Sequence, residues 1–154
     1  MSTAFFLDTC IFFSAIQKHQ DLQVLQHLHN LNYPLYTSVP VLGEFTVEMM
    51  SRPDKGQRFQ HFLSLFNDLD IEAFFPVKQV TYASSLLCKH NEDARMSSQY
   101  TDLIHLAYAM AYKIPVFLTT DRYLTHYRIP QKMIEKGFKQ PRMMDLSGVK
   151  REYL

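Results

Sequence analysis

Pro115-Val116-Phe117-Leu118-Thr119-Thr120 runs straight into Asp121. A short, unbroken apolar run led by β-branched and aromatic residues is the pattern of a strand covered on both faces. Ala4-Phe5-Phe6-Leu7, followed by Asp8 and Thr9, repeats the pattern near the other end of the chain. Doubly covered strands belong to parallel sheets, whose strands are joined by helical crossovers.

The segments between these two runs supply such crossovers. A helical region extends to about Asn30, with Leu22, Leu25 and Leu28, joined by Val24 and Leu31, on one stripe. Tyr33-Pro34-Leu35-Tyr36-Thr37 reads as the second strand. Ser38 is placed to cap the next helix, with Pro40 in its first turn, Val41, Leu42, Phe45 and Met49 facing inward, and Glu44 among them. Arg52 to Gly56 breaks the chain, and a helix through Phe59, Phe62, Leu63 and Phe66 leads to a third strand, Ile71 to Phe75. Val77 to Cys88 is helical, and His90 to Ser98 is a polar loop expected to be mobile. Thr101 is expected to cap a buried helix from Asp102 to Tyr112, where Leu103, Leu106, Ala107, Met110 and Ala111 recur at helical spacing. Arg142 to Leu146 offers a short fifth strand. With right-handed crossovers, the expected fold is α/β: a three-layer α/β/α sandwich over a parallel sheet of four to five strands, one domain spanning 1–154.

Composition narrows the function classes. The chain has 154 residues, 47% of them hydrophobic and 20% charged, enough for one packed core and too apolar for disorder. Four glycines, Gly43, Gly56, Gly137 and Gly148, cannot assemble either common glycine-rich nucleotide loop, so no nucleotide cofactor is expected. Cys10 and Cys88 cannot form a disulfide framework or a four-thiolate zinc site, and with no leader expected before the first apolar run, a reducing cytoplasm is the expected setting. No apolar stretch approaches the roughly 20 residues that span a bilayer. Net charge is only +1, but residues 1–121 carry 8 Lys and Arg against 12 Asp and Glu, whereas residues 122–151 carry 8 against Glu135 and Asp145 alone. Such a basic end suits either phosphate contacts or an ordinary solvated face.

Four carboxylates stand out from this background. Open parallel sheets bind ligands beyond the carboxyl ends of their strands, where strand order reverses. Asp8 and Asp121 occupy two such ends. With their strands adjacent across the reversal, Glu44 and Asp102, in the opening turns of helices starting at the same sheet edge, join them. Each acid also has an ordinary use: Asp8 as a helix cap, Glu44 toward solvent, Asp102 on a helix dipole, Asp121 in a turn. Together they repel by roughly 4 kcal/mol per pair at about 4 Å and an effective dielectric near 20, which shared protons or a hard divalent cation relieve. An all-oxygen set suits Mg2+ or Mn2+ better than zinc.

Phe5-Phe6-Leu7-Asp8-Thr9, Ser38 with Glu44 six residues on, Asp102-Leu103-Ile104-His105-Leu106-Ala107 and Val116-Phe117-Leu118-Thr119-Thr120-Asp121 resemble, in order and spacing, the four motifs of the PIN-domain ribonucleases. The resemblance spans nearly the whole chain and is strongest to the small single-domain VapC-type toxins, with no zinc ribbon or helicase module expected. It implies that Asp8, Glu44, Asp102 and Asp121 hold one or two Mg2+ or Mn2+ ions for cutting RNA phosphodiesters, with Thr9, Ser38 and Thr119 as supporting hydroxyls. It also implies an antitoxin protein as partner and a homodimer. The chain departs from the family pattern at His105, where a small residue is usual, and after Asp121, where Arg122-Tyr123-Leu124 lacks the frequent Asp-Phe.

The chemistry fits the residues directly: carboxylate-held metal offsets phosphodiester charge and acidifies a bound water, with Asp102 or Asp121 to orient it. No catalytic His or Cys belongs to the motif set, so no covalent intermediate is expected, and products should carry 5′-phosphate and 3′-hydroxyl ends. His105, one turn after Asp102, reads either as a metal ligand or proton donor or, as is commoner for a histidine in a buried helix, as a hydrogen-bonded structural residue, and Cys10 and Cys88 read as small buried hydrophobes. Arg52, Lys55 and Arg58 near the Glu44 helix, and Arg122 beside Asp121, are candidates for guiding an RNA backbone, as well as ordinary surface charge. Two other readings compete: a non-catalytic RNA- or protein-binding module of the same fold, and a haloacid-dehalogenase-type phosphohydrolase. The latter lacks its second acid, because Cys10 stands two residues after Asp8.

Overall fold

The structure is a computed structural model that describes residues 3–97 and 99–154. In chain order it contains β1 (Phe5–Leu7), α1 (Thr9–Gln17), α2 (His19–Asn30), β2 (Leu35–Ser38), α3 (Val39–Met50), α4 (Lys55–Asp68), β3 (Glu72–Phe74) and α5 (Lys78–His90). A 3-10 turn at Ala94–Met96 follows, then α6 (Tyr100–Ala111), β4 (Val116–Leu118), α7 (Arg122–Thr125), α8 (Gln131–Glu135), β5 (Arg142–Met144) and α9 (Leu146–Tyr153). All five strands are parallel, in the order β3-β2-β1-β4-β5. The expected α/β fold and the fifth strand are therefore present.

Strand order reverses between β1 and β4, which pair Phe5 with Val116, Phe6 with Phe117 and Leu7 with Leu118. Right-handed crossovers leaving that junction in opposite directions load opposite faces of the sheet. Accordingly α1 packs on α2, α3 and α4, and α9 returns to α2, while α5 packs on α6 and α8. All three residues of β1 and of β4 are buried, as their unbroken apolar runs require. Phe6 stacks on Phe117 at 5.2 Å across the junction, and Phe45 of α3 lies against Phe12, Phe13, Phe59 and Phe62 in the layer of α1, α3 and α4. Among the described residues, no helix is long and apolar enough to cross a membrane.

The four helices that feed β2, β3, β4 and β5 end alike. After α2, α4, α6 and α8 the chain enters the left-handed region at Asn32 (φ 61°), Asp70 (φ 48°), Lys113 (φ 58°) and Gly137 (φ 91°). The next amide then bonds back over the last turn: Tyr33 to Leu28, Ile71 to Phe66, Ile114 to Ala109 and Phe138 to Met133. These are Schellman closures, each with an apolar residue after the turn that ties the helix end to the core.

Several boundaries differ from the sequence expectation. The helical region after β1 is two helices broken at Lys18, whose extended backbone accepts the first bonds of α2 from Asp21 and Leu22; periodicity does not register a one-residue break. Thr101 does not cap α6: the Gln99 carbonyl accepts from Leu103, so Thr101 falls inside the first turn. The second strand begins two residues later than expected and takes in the capping Ser38, as Leu35–Ser38, and of the last run only Arg142–Met144 forms strand, because Asp145 caps α9. In the loop expected to be mobile, Asn91 and Asp93 hydrogen-bond each other, Asp93 accepts the Arg95 amide and Met96 is fully buried; its Ser98 lies outside the described residues.

Candidate functional site

Asp8 follows β1 and is 4% exposed. Its amide donates to the Leu118 carbonyl at 3.1 Å, which continues the β1–β4 ladder by one residue and locks the carboxylate at the strand-order reversal. Oδ1 accepts the Thr9 amide at 2.8 Å, making Asp8 the N-cap of α1. Oδ2 accepts the Thr119 hydroxyl at 2.9 Å and the Cys10 thiol at 3.5 Å. Burial pushes the Asp8 carboxyl above the ordinary carboxylate range, against the pull of His105 and of these hydrogen bonds.

Thr119 ties a second acid to the first. Its hydroxyl accepts the Asp121 amide at 3.1 Å while donating to Asp8, so one buried oxygen connects the ends of two strands. Asp121 in turn caps α7, Oδ1 accepting Tyr123 at 2.8 Å and Leu124 at 3.4 Å. The capping uses foreseen for Asp8 and Asp121 are thus real, and both coexist with placement at the same sheet edge.

Asp102 enters from the opposite layer, half-buried in the first turn of α6. Its carboxyl is pushed up to about 6, first by burial, then by Asp8, with Asp121 and Glu44 adding in the same direction. Every other acid of the predicted set is therefore near enough to Asp102 to be felt. Glu44 projects from α3, half-buried, and Oε2 lies 2.9 Å from His105 Nε2. That hydrogen bond, chiefly, holds Glu44 below the usual range.

Of the two readings of His105, hydrogen-bonded structure or site residue, the geometry accommodates both. Its side chain is 0% exposed and does form the structural hydrogen bond expected of it, but the bond is to Glu44. Among the described residues, the tight group of metal-type donors is Asp8, Asp102 and His105, one atom from each lying within 4.8 Å of the others. Glu44 attaches through His105, and Asp121 through Thr119. The signal for His105 was available: three residues after Asp102 on a helix places it on the same face. Cys10, read as a small hydrophobe, also borders the site, its Sγ accepting the Thr120 amide at 3.1 Å. Burial and the Asp8 charge push this thiol up to about 11, so it stays protonated.

The supporting hydroxyls divide by role. Ser38, fully buried, caps α3 through the Val41 amide at 3.4 Å and so sets the helix that carries Glu44. Thr9 is buried, and its hydroxyl has no partner among the described residues. Of the predicted guiding cations, Arg122 is exposed beside Asp121 with its guanidinium 5.3 Å from the Tyr123 ring centre. Arg52 is already engaged: it binds Glu48 at 3.0 Å and lies 5.0 Å over Phe13. Arg58 likewise pairs with Asp54.

Crowded carboxylates, a buried hydroxyl and a buried imidazole nitrogen without partners are what a cation-binding cradle presents. The donor set is hard oxygen with one nitrogen, and it fits a divalent ion.

The PIN domain family profile matches residues 5–130. No curated protein is similar enough in sequence to register as a relative. Solved structures that share the fold include three VapBC complexes. VapBC2 from Rickettsia felis bound to a DNA fragment from their promoter superposes with a TM-score of 0.65 at 19% identity, covering 93% of this chain and 98% of that one. DNA-bound VapBC from Salmonella typhimurium gives 0.65 at 16%, covering 94% and 98%. VapBC-1 from nontypeable Haemophilus influenzae gives 0.62 at 12%, covering 94% and 99%.

Proposed function

This chain belongs to the PIN domain family, and from that membership we propose that it is a divalent-metal-dependent endoribonuclease, the toxin component of a type II toxin–antitoxin pair. The observation that carries the reading is the convergence of Asp8, Asp102 and His105 within 4.8 Å at the strand-order reversal, with Glu44 and Asp121 beside them. Capping accounts for Asp8 and Asp121 singly, but it does not account for Asp102 being half-buried against the other three acids.

In this reading Asp8, Asp102, Glu44 and Asp121 hold Mg2+ or Mn2+. When bound, the ion neutralises phosphodiester charge and lowers the pKa of its water. Asp8, immobilised by three hydrogen-bond donors, anchors the site. Asp102, half-buried, faces the substrate side and orients the attacking water together with Asp121. Thr119 keeps Asp8 and Asp121 in fixed relation, Ser38 sets the start of the Glu44 helix, and Thr9 adds a hydroxyl to the cradle. Arg122, exposed next to Asp121, steers the RNA backbone, whereas Arg52 is taken up by Glu48 and Phe13 and reaches a phosphate only by giving up that pairing. The VapBC structures sharing this fold support an antitoxin protein as partner; a homodimer, a single domain over 1–154 and a cytoplasmic setting complete the reading.

The test is cleavage of end-labelled single-stranded RNA by the purified chain with Mg2+ or Mn2+. Cutting that leaves 5′-phosphate and 3′-hydroxyl ends, stops with chelator and is lost in Asp8→Asn supports the proposal. Persistence of cutting in Asp8→Asn, or RNA binding without cutting in either metal, overturns it, the latter in favour of a binding module.

A further inference from the structure

His105 separates this centre from one built of carboxylates alone. Asp102 and His105 stand three residues apart on α6 and so share one helix face. The imidazole is wholly buried, and its two nitrogens differ in kind. Nε2 is taken up by Glu44 at 2.9 Å, whereas Nδ1 is buried with no partner among the described residues. A neutral imidazole that donates one N–H to a carboxylate presents a bare lone pair on its other nitrogen, which is how ligating histidines are oriented in metal sites. A ring nitrogen of His105 already lies within 4.8 Å of carboxylate oxygens on both Asp8 and Asp102.

We propose that His105 is a nitrogen ligand of the divalent ion, oriented by Glu44, and that it makes the centre select Mn2+ over Mg2+. The proposal rests on the function argued above and refines it. Mg2+ is a hard ion that prefers oxygen and parts reluctantly with its waters. Imidazole suits first-row transition ions, and the two carboxylates beside it keep the set hard enough for Mn2+. A centre of Asp8, Asp102 and His105 should therefore discriminate where an all-carboxylate one barely does.

The experiment uses the full chain, with Mn2+ and Mg2+ as probes. Pulsed EPR of the Mn2+ form reads nitrogen coupling directly and needs no substitution; calorimetric titration of wild type and His105→Asn reads affinity for each ion. Expected are a histidine nitrogen coupled to Mn2+, Mn2+ bound at least about tenfold more tightly than Mg2+, and an about 10- to 100-fold loss of Mn2+ affinity in the variant with Mg2+ changed far less. Mn2+ bound with no nitrogen coupling, or equal losses for both ions, overturns the proposal and leaves the nuclease reading standing. Failure of both ions to bind wild type overturns this proposal and the nuclease reading together.

Discussion

Thr119 shows how much a single hydroxyl decides. It is fully buried, donates to Asp8 and accepts from the Asp121 amide, so Thr119→Val strips Asp8 Oδ2 of its shorter donor and the Asp121 amide of its acceptor at once. The expected loss is about 1.5–3 kcal/mol of unfolding free energy, the range for a hydrogen bond to a charged group, with RNA cleavage reduced beyond what the lower stability explains. Thr119→Ser should keep both, as denaturant titration and cleavage rates will show; equal damage from Ser and Val would assign Thr119 to packing alone. His105 teaches the complementary lesson about residues. Its helical spacing from Asp102 was readable, but the partner that satisfies it, Glu44, lies 61 positions away and could not be read.

At the scale of elements, the runs that became β1 and β4 were legible because both faces of those strands are covered, leaving no polar alternation to blur them. The helix ends were not. Four crossover helices close with a left-handed residue, and in three of them that residue is Asn32, Asp70 or Lys113, none of which announces a stop as glycine does. Lys113 carries a Cβ at φ 58°, so Lys113→Gly relieves a left-handed cost of about 1–2 kcal/mol while adding about 0.5–1 kcal/mol of unfolded-chain entropy. A net gain of about 0–1.5 kcal/mol in unfolding free energy is expected. A loss on thermal denaturation would mean that the Lys113 side chain contributes more than its backbone costs.

At the scale of the whole molecule, carboxylates from four chain regions and both helical layers meet at one edge, and the fold bears their repulsion. Asp102 has its ordinary value of 3.8 raised to about 6, and Asp8 is raised as well. Between those two values the folded chain binds the proton more tightly than the unfolded chain, so the stability of the metal-free protein should rise as pH falls from about 7 to about 5. Glu44 has the opposite sign, but its contribution is lost only as pH drops below its ordinary 4.5, outside that window. Asp102→Asn should raise the midpoint of thermal unfolding at pH 7 and flatten the pH slope; an unchanged slope would remove Asp102 as its source. The amino-acid sequence by itself determined the parallel α/β architecture, the strand-end positions of Asp8 and Asp121 and the four acids worth watching, because burial writes apolar periodicity directly into the chain. Which donors approach within ligand distance, the pairing of His105 with Glu44, the entry of Cys10 and the link from Thr119 to two acids were decided only by the tertiary structure. Those contacts depend on strand order and on how helices from opposite faces converge, and no local spacing encodes either.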